Sequence, residues 1–349
     1  MIQLKSNINM KPFRLLLLAV AIAACQGTGG RPTPFSHNLE AGPTPWSYEP
    51  TGKPEGQFTF AIISDLNSGE RDGVFEVAME QVNLLRPEFI LSVGDLVNGE
   101  TSDPVELQKQ YDGFDQRAAR ANAPLFHTGG NHDLTSQAMR DFWTKRYGRR
   151  YYHFIYQNVL FLVLDTEDYT DELREKINVA RSEAIAILDG PHPEDFPSTA
   201  YYKMPERKTG KIEEEQNAYF EKVIAAHPEV RWTFLLMHKP VWKREGEGNL
   251  SRMEKALGDR KYTVINGHLH SYSHTERNGH DYITLGTTGG SQNPEDENAF
   301  DHITLVSFSG DGPAIANIRI DGLLDKTGKV PLNGGRYCYQ ASKCKGDEE

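Results

Sequence analysis

The chain has 349 residues, 38% of them hydrophobic and 25% charged, enough to bury a core of ordinary size in one large domain or two smaller ones. Asp and Glu total 49 against 38 Lys and Arg, a net charge of -11, which repels nucleic-acid phosphates unless a local basic patch exists, and the sequence shows none. Three cysteines over this length exclude a disulfide scaffold.

Lys11 and Arg14 precede an apolar run at residues 15–24. At about ten residues the run is half of what a bilayer-spanning helix needs. Charge, apolar stretch and small residues in that order read as a signal peptide over residues 1–24. It ends Ile22-Ala23-Ala24-Cys25, which resembles the bacterial lipobox. The resemblance implies that Cys25 is lipidated and anchors the protein in the cell envelope. Gln26 follows where an Asp would imply inner-membrane retention, so the outer membrane is favoured. Residues 25–55 hold Pro32, Pro34, Pro43, Pro45, Pro50 and Pro54 and read as a tether that builds neither a helix nor a central strand.

The body alternates. Residues 58–63 (FTFAII) suit a buried strand. Val74, Val77, Ala78, Val82 and Leu85 recur near a spacing of about 3.6, which predicts a helix. Residues 89–93 form the next strand, 107–119 a helix, and 125–127 a brief strand before a Gly-Gly turn. Residues 151–156 and 159–165 read as strands of a hairpin turning at Gln157-Asn158, and 171–188 as a helix. Residues 189–211 look like an excursion loop, 212–226 an amphipathic helix, and 232–237 and 262–265 strands. Residues 282–285, 303–308 and 315–320 complete a β-rich end, and residues 324–349 read as a peripheral tail. Cys338 and Cys344 either close a small loop or stay free thiols. One α/β domain over 56–323, with mixed sheets covered by helices, is the simplest organisation.

Five strands run into polar residues that packing does not ask for. The first reaches Asp65 and Asn67, the second Gly94-Asp95, and the third Gly130-Asn131-His132-Asp133. A later one reaches His238, and the last Gly267-His268-Leu269-His270. Singly, each is an ordinary turn or cap. Together they place hard oxygens and imidazoles at the carboxyl ends of strands, where α/β sheets bind ligands. Mn, Fe, Zn and Co accept that mixture, and an extended backbone would point His268 and His270 the same way.

At these residues the sequence resembles the calcineurin-like metallophosphoesterases, whose pattern is D-x-H, G-D, G-N-H-(D/E), H and G-H-x-H. The resemblance runs from about residue 58 to 290. It implies a four-layer αββα sandwich of two mixed sheets and two divalent metal ions (Mn, Fe, Zn or Mg). Asp65, Asp95 and His270 would hold the first ion, Asp95 would bridge, and Asn131, His238 and His268 would complete the second. A metal-bridging hydroxide would attack a phosphate ester. His132 would reach the scissile phosphate as general acid, and Asp133 would orient it. Asn67 departs from the pattern, which has histidine there. As a weaker neutral donor to the first ion it would favour Mn or Mg over Zn.

The expected activity is hydrolysis of a small phosphate ester at the membrane. Phosphodiester substrates are the alternative, and a non-catalytic binding protein on a degenerate scaffold or a structural lipoprotein are the remaining ones. Segments 98–118, 166–211 and 241–256 are the expected walls of the substrate site. Tyr201, Tyr202, Lys203 and Arg207 could meet a base or an anion but read first as ordinary solvated loop residues, and His127, His153, His274 and His280 as surface or supporting positions.

Overall fold

Period-two alternation in the strands builds two separate apolar faces. In a computed structural model, which describes residues 35–49, 56–310 and 312–344, β1 is Phe35–His37, β2 Phe58–Ile63 and α1 Val74–Leu85. β3 (Phe89–Ser92), α2 (Pro104–Ala118), β4 (Leu125–Phe126), α3 (Asn131–Leu134) and α4 (Gln137–Tyr147) follow. Next come β5 (Tyr152–Tyr156), β6 (Val159–Val163), α5 (Asp171–Leu188), α6 (Ala200–Lys203) and α7 (Glu214–Ala226). The chain continues through β7 (Trp232–Leu236), α8 (Asn249–Leu257), β8 (Tyr262–Asn266), β9 (Ser273–Arg277) and β10 (His280–Thr284). It closes with β11 (His302–Ser309) and β12 (Gly312–Arg319).

The strands form two mixed sheets. One has the order β1-β5-β6-β7-β8-β10-β9, the other β12-β11-β2-β3-β4. Phe58, Phe60 and Ile62 of β2 meet Phe161, Val163 and Phe234 between the sheets. Ala61 and Ile63, on the other face of β2, pack with Val77, Val82, Phe114 and Trp143 of α1, α2 and α4. Leu160, Leu162 and Leu235 pack outward on Phe220 and Ile224 of α7 and Met253 of α8. The four layers are thus helix, sheet, sheet, helix, as expected. Among the described residues no helix is long and apolar enough to cross a membrane.

Helix limits follow local chemistry. Asp103 accepts from the Val105 amide at the head of α2, and Thr170 caps α5. α1 stops at Leu85 because Arg86 turns left-handed before Pro87.

Two expectations change and a third narrows. The stretch read as a tether is partly body: β1 pairs antiparallel with β5, and Trp46 is buried against Phe35, Phe126 and Tyr152. Prolines kept it off the sheet centre, and β1 is an edge strand, but its aromatic side chains supply apolar area that a tether lacks. The tail is not peripheral over residues 331–344: Tyr339 is buried in the α1 layer, Arg71 donates to the Cys338 carbonyl at 2.9 Å, and Cys338 and Cys344 form a disulfide. Of the histidines read as surface or supporting positions, His127 and His153 are buried, which removes the surface alternative for these two. The signal peptide and Cys25 lie outside the described residues.

Candidate active site

Each site residue follows the carboxyl end of a strand: Asp65 after β2, Asp95 after β3, Asn131 and His132 after β4 at the start of α3, His238 after β7, and His268 and His270 after β8. The backbone turns hard there. Asp65, Asp95, His268 and His270 have φ of 38°, 57°, 74° and 52°, the left-handed region that costs a non-glycine residue roughly 1–2 kcal/mol. Four such residues in one cluster mark strain retained where the chemistry sits. The motif glycines allow close approach: a Cβ on Gly130 would strike the Asp95 carboxylate, and one on Gly267 the Asp65 carboxylate.

The left-handed turns also correct the expectation that His268 and His270 point together. They serve different clusters. Asp95, His238 and His268 form one, and Asp65, Asp95 and His270 the other; in each the ligand atoms lie within 4.8 Å of one another. Asp95 belongs to both. Its Oδ2 is 3.1 Å from His238 Nε2, which is 3.2 Å from His268 Nδ1. His270 Nε2 is 3.2 Å from Asp65 Oδ1.

The other nitrogen of each ring is held by the backbone. His238 Nδ1 lies 2.8 Å from the Val93 carbonyl, His268 Nε2 2.8 Å from that of Arg207, and His270 Nδ1 2.7 Å from that of Ser291. Carbonyls accept only, so each ring commits one N–H outward and leaves its other nitrogen facing the carboxylates, where it can hold a proton or a cation. The Asn131 amide lies against two of those nitrogens, 3.2 Å from His238 and 2.9 Å from His268; its NH2 group can donate to both, and with the amide turned over its oxygen would join them around a cation. Buried carboxylate oxygens and imidazole nitrogens converging within 4.8 Å of one another are a donor set that fits divalent metal.

Burial opposes ionisation of Asp95, but His238 and His132 beside it hold its carboxyl well below the usual range. Burial also opposes charge on His238, yet Asp95 lifts it to about 9. Burial and Lys239 push His268 well down. Asp133 is raised to about 7 by burial and by Asp95.

Two residues are placed differently from expectation. Asn67 turns its NH2 group, not its oxygen, to Asp95 Oδ2 at 2.9 Å, and its Oδ1 is buried without a partner. As it stands it steadies the shared carboxylate instead of offering a ligand atom. Asp133 does not meet the His132 ring. Its carboxylate accepts from the amides of Asp95 and Gly130 at 2.8 Å and from the Tyr111 hydroxyl at 3.1 Å, so it pins the loop backbone. The carboxylate beside His132 is Glu100, 3.2 Å from Nδ1, and that nitrogen is also 2.6 Å from the Asn98 carbonyl. Nε2 lies 2.9 Å from an Arg181 nitrogen and 3.2 Å from Ser68 Oγ. The resting ring is therefore an acceptor at Nε2; burial and Arg181 lower its pKa, while Asp95 and Glu100 raise it.

Glu100 and Arg181 escaped the sequence reading, and Tyr201, read there as a solvated loop residue, is buried. A signal existed: Arg181 sits in the buried stripe Ile177, Ala180, Ala184 of α5, an unusual place for a cation. The three expected wall segments do line one cavity of about 1140 Å³ over the metal donors, through Asn98, Glu100, Arg181, Phe196, Arg207 and Lys243. Tyr201 is buried there, whereas Tyr202 and Lys203 are exposed.

The model of the calcineurin-like phosphoesterase family matches residues 58–272. The chain belongs to that family: it is a metallophosphoesterase, a hydrolase of phosphoric esters. No curated protein matches it in sequence. Solved structures of similar fold include a dimetal phosphatase from Danio rerio, 12% identical, with 76% of this chain and 99% of that one covered at a TM-score of 0.46. Another is PhoD, 12% identical, covering 75% and 68% at 0.49. A third is GAP50, the anchor in the inner membrane complex of Plasmodium, 14% identical, covering 79% and 87% at 0.47.

Proposed function

We propose that the protein hydrolyses small phosphate esters at a site of two divalent cations, with the ester bound in the cavity over the strand ends. The observation that carries this is the pair of donor clusters sharing Asp95. Asp65, Asp95 and His270 would hold one ion, and Asp95, Asn131, His238 and His268 the other. Bound there, the ions would activate water as a nucleophile and neutralise charge on the phosphoryl oxygens.

The chain's own residues do the rest. The carbonyls of Val93, Arg207 and Ser291 fix the ligand tautomers. Asp133 fixes the turn that presents Asp95 and Asn131. His132 faces the cavity beside them and acts as general acid once Nε2 takes a proton, with Glu100 supporting the imidazolium. Cys25 carries the lipid that holds the body at the envelope membrane, a reading supported by the Ile22-Ala23-Ala24-Cys25 sequence.

The test is turnover of p-nitrophenyl phosphate by Mn-loaded protein and its His132→Ala variant. We expect wild-type hydrolysis, a fall in kcat of roughly 10²–10⁴-fold in the variant, and unchanged metal content. Metal-loaded wild type that hydrolyses neither this ester nor its bis ester would overturn the proposal.

A further inference from the structure

The cavity holds a cation that the reading so far does not use. Arg181 is 7% exposed and reaches from α5 to the edge of the metal donors. Glu100 takes its Nε at 2.9 Å and also contacts Nη2. The Tyr201 hydroxyl accepts from Nη1 at 2.5 Å, and the Tyr201 ring lies 5.3 Å under the guanidinium. Burial works to lower its pKa, but Tyr201 and Glu100 raise it, so the group stays charged.

Its inner edge faces the Asn131 amide, 3.2 Å from both Nη1 and Nη2. The amide oxygen can accept from both, but if that oxygen turns to His238 and His268 to hold a cation, its NH2 group opposes them and the edge is left without an acceptor there. The remaining contact is His132 Nε2 at 2.9 Å, a neutral acceptor for a buried cation. A planar guanidinium held in place on its outer side presents paired N–H donors whose geometry suits a phosphoryl oxyanion.

We infer that Arg181 contacts the substrate, gripping a terminal phosphoryl oxygen, and that it selects phosphomonoesters over phosphodiesters. The inference rests on the proposed phosphoesterase site. A monoester carries three terminal oxygens and a diester two. Where the ions take two of these oxygens, only the monoester would keep a third, and the Arg181 guanidinium is where that oxygen would find donors. Glu100 and Tyr201 are positioning residues that hold the guanidinium in place.

Binding to the Mn-loaded full chain tests this apart from turnover. Titration calorimetry would compare inorganic phosphate with dimethyl phosphate for wild type, Arg181→Gln and Tyr201→Phe. We expect Arg181→Gln to weaken phosphate by roughly 10–100-fold, as loss of a hydrogen bond to a charged group does, and dimethyl phosphate by less than about threefold. Tyr201→Phe should show the same asymmetry, smaller. In turnover, kcat/KM for p-nitrophenyl phosphate should fall far more than for bis(p-nitrophenyl) phosphate, with metal content unchanged. Equal weakening of both ligands in Arg181→Gln, or in Tyr201→Phe where Arg181→Gln does not fold, overturns the assignment. Wild type that binds phosphate with this preference but hydrolyses neither ester would instead defeat the proposed function and leave Arg181's role standing.

Discussion

Sharing of Asp95 between the two donor clusters makes a quantitative prediction that needs no substrate. An ion bound only by the folded state adds about 2.7 kcal/mol when its concentration is 100 times its dissociation constant. Unfolding entropy is about 2.1 cal/mol/K per residue, so a body of about 300 residues changes stability by about 0.6 kcal/mol per degree. Each occupied site should then raise Tm by about 4 °C, and both by about 8–9 °C. His268→Ala removes a donor from one cluster only, and His270→Ala from the other only. Each should keep about half of the metal-induced shift, near 4 °C. Asp95→Asn weakens both clusters by a full charge and should keep less than about 2 °C. The assay is differential scanning calorimetry with Mn and with chelator, each variant compared with its own metal-free state. The reasoning fails if Asp95→Asn retains as large a shift as His270→Ala, or if either histidine variant loses the whole of it.

Asn67→His should place an imidazole where the NH2 group now faces Asp95 and tighten the weaker Mn site by at least about tenfold; an unchanged isotherm would count against a ligand position there. Trp46→Ala should cost about 3–5 kcal/mol of unfolding free energy in urea, the usual loss for a buried Trp, whereas a Trp46 in a free tether would cost nothing measurable. His127 and His302 are held neutral by burial, each with a pKa of about 4. Their folded values lie below the unfolded value of about 6.5, so the stability they contribute is present above that pH and is lost as pH falls towards 4, on the order of 3 kcal/mol each. Protonation of His302 Nε2 would also take away the acceptor of the Gly286 amide, 2.9 Å away. Asp301, pushed up by burial to about 6, works in the opposite sense. The discriminating measurement is therefore the difference between wild type and His302→Gln, whose stability should fall less steeply between pH 6.5 and 4; parallel curves would refute the assignment.

What could be read in advance followed from topology. Parallel strands end together, so residues just past β2, β3, β4, β7 and β8 must share one edge of the sandwich. That is why Asp65, Asp95, Asn131, His238, His268 and His270 were legible as a group although they span some 200 positions. The directions of their side chains were not legible. They depend on left-handed turns at Asp65, Asp95, His268 and His270, which an extended-strand argument cannot contain. Asn67 shows the same gap: its position was found, but which end of the amide faces Asp95 is decided by neighbours.

The harder misses share a different cause. Phe35 and Trp46 were hidden by the prolines around them, because proline content reports on what a segment cannot form and not on what it can bury. Arg181 and Glu100 are 81 positions apart and meet only through tertiary packing. Neither belongs to a strand-end motif, and neither has a short-range pattern to announce it. The strand ends are set by the core, so they recur wherever the sandwich folds. α5 packs instead in a separate small cluster with Tyr169 and Tyr201, so the sheet cores do not dictate where its polar side chains fall. Residues of the first kind define the reaction class, and residues of the second kind, Arg181 foremost, are where discrimination between one phosphate ester and another has to be built.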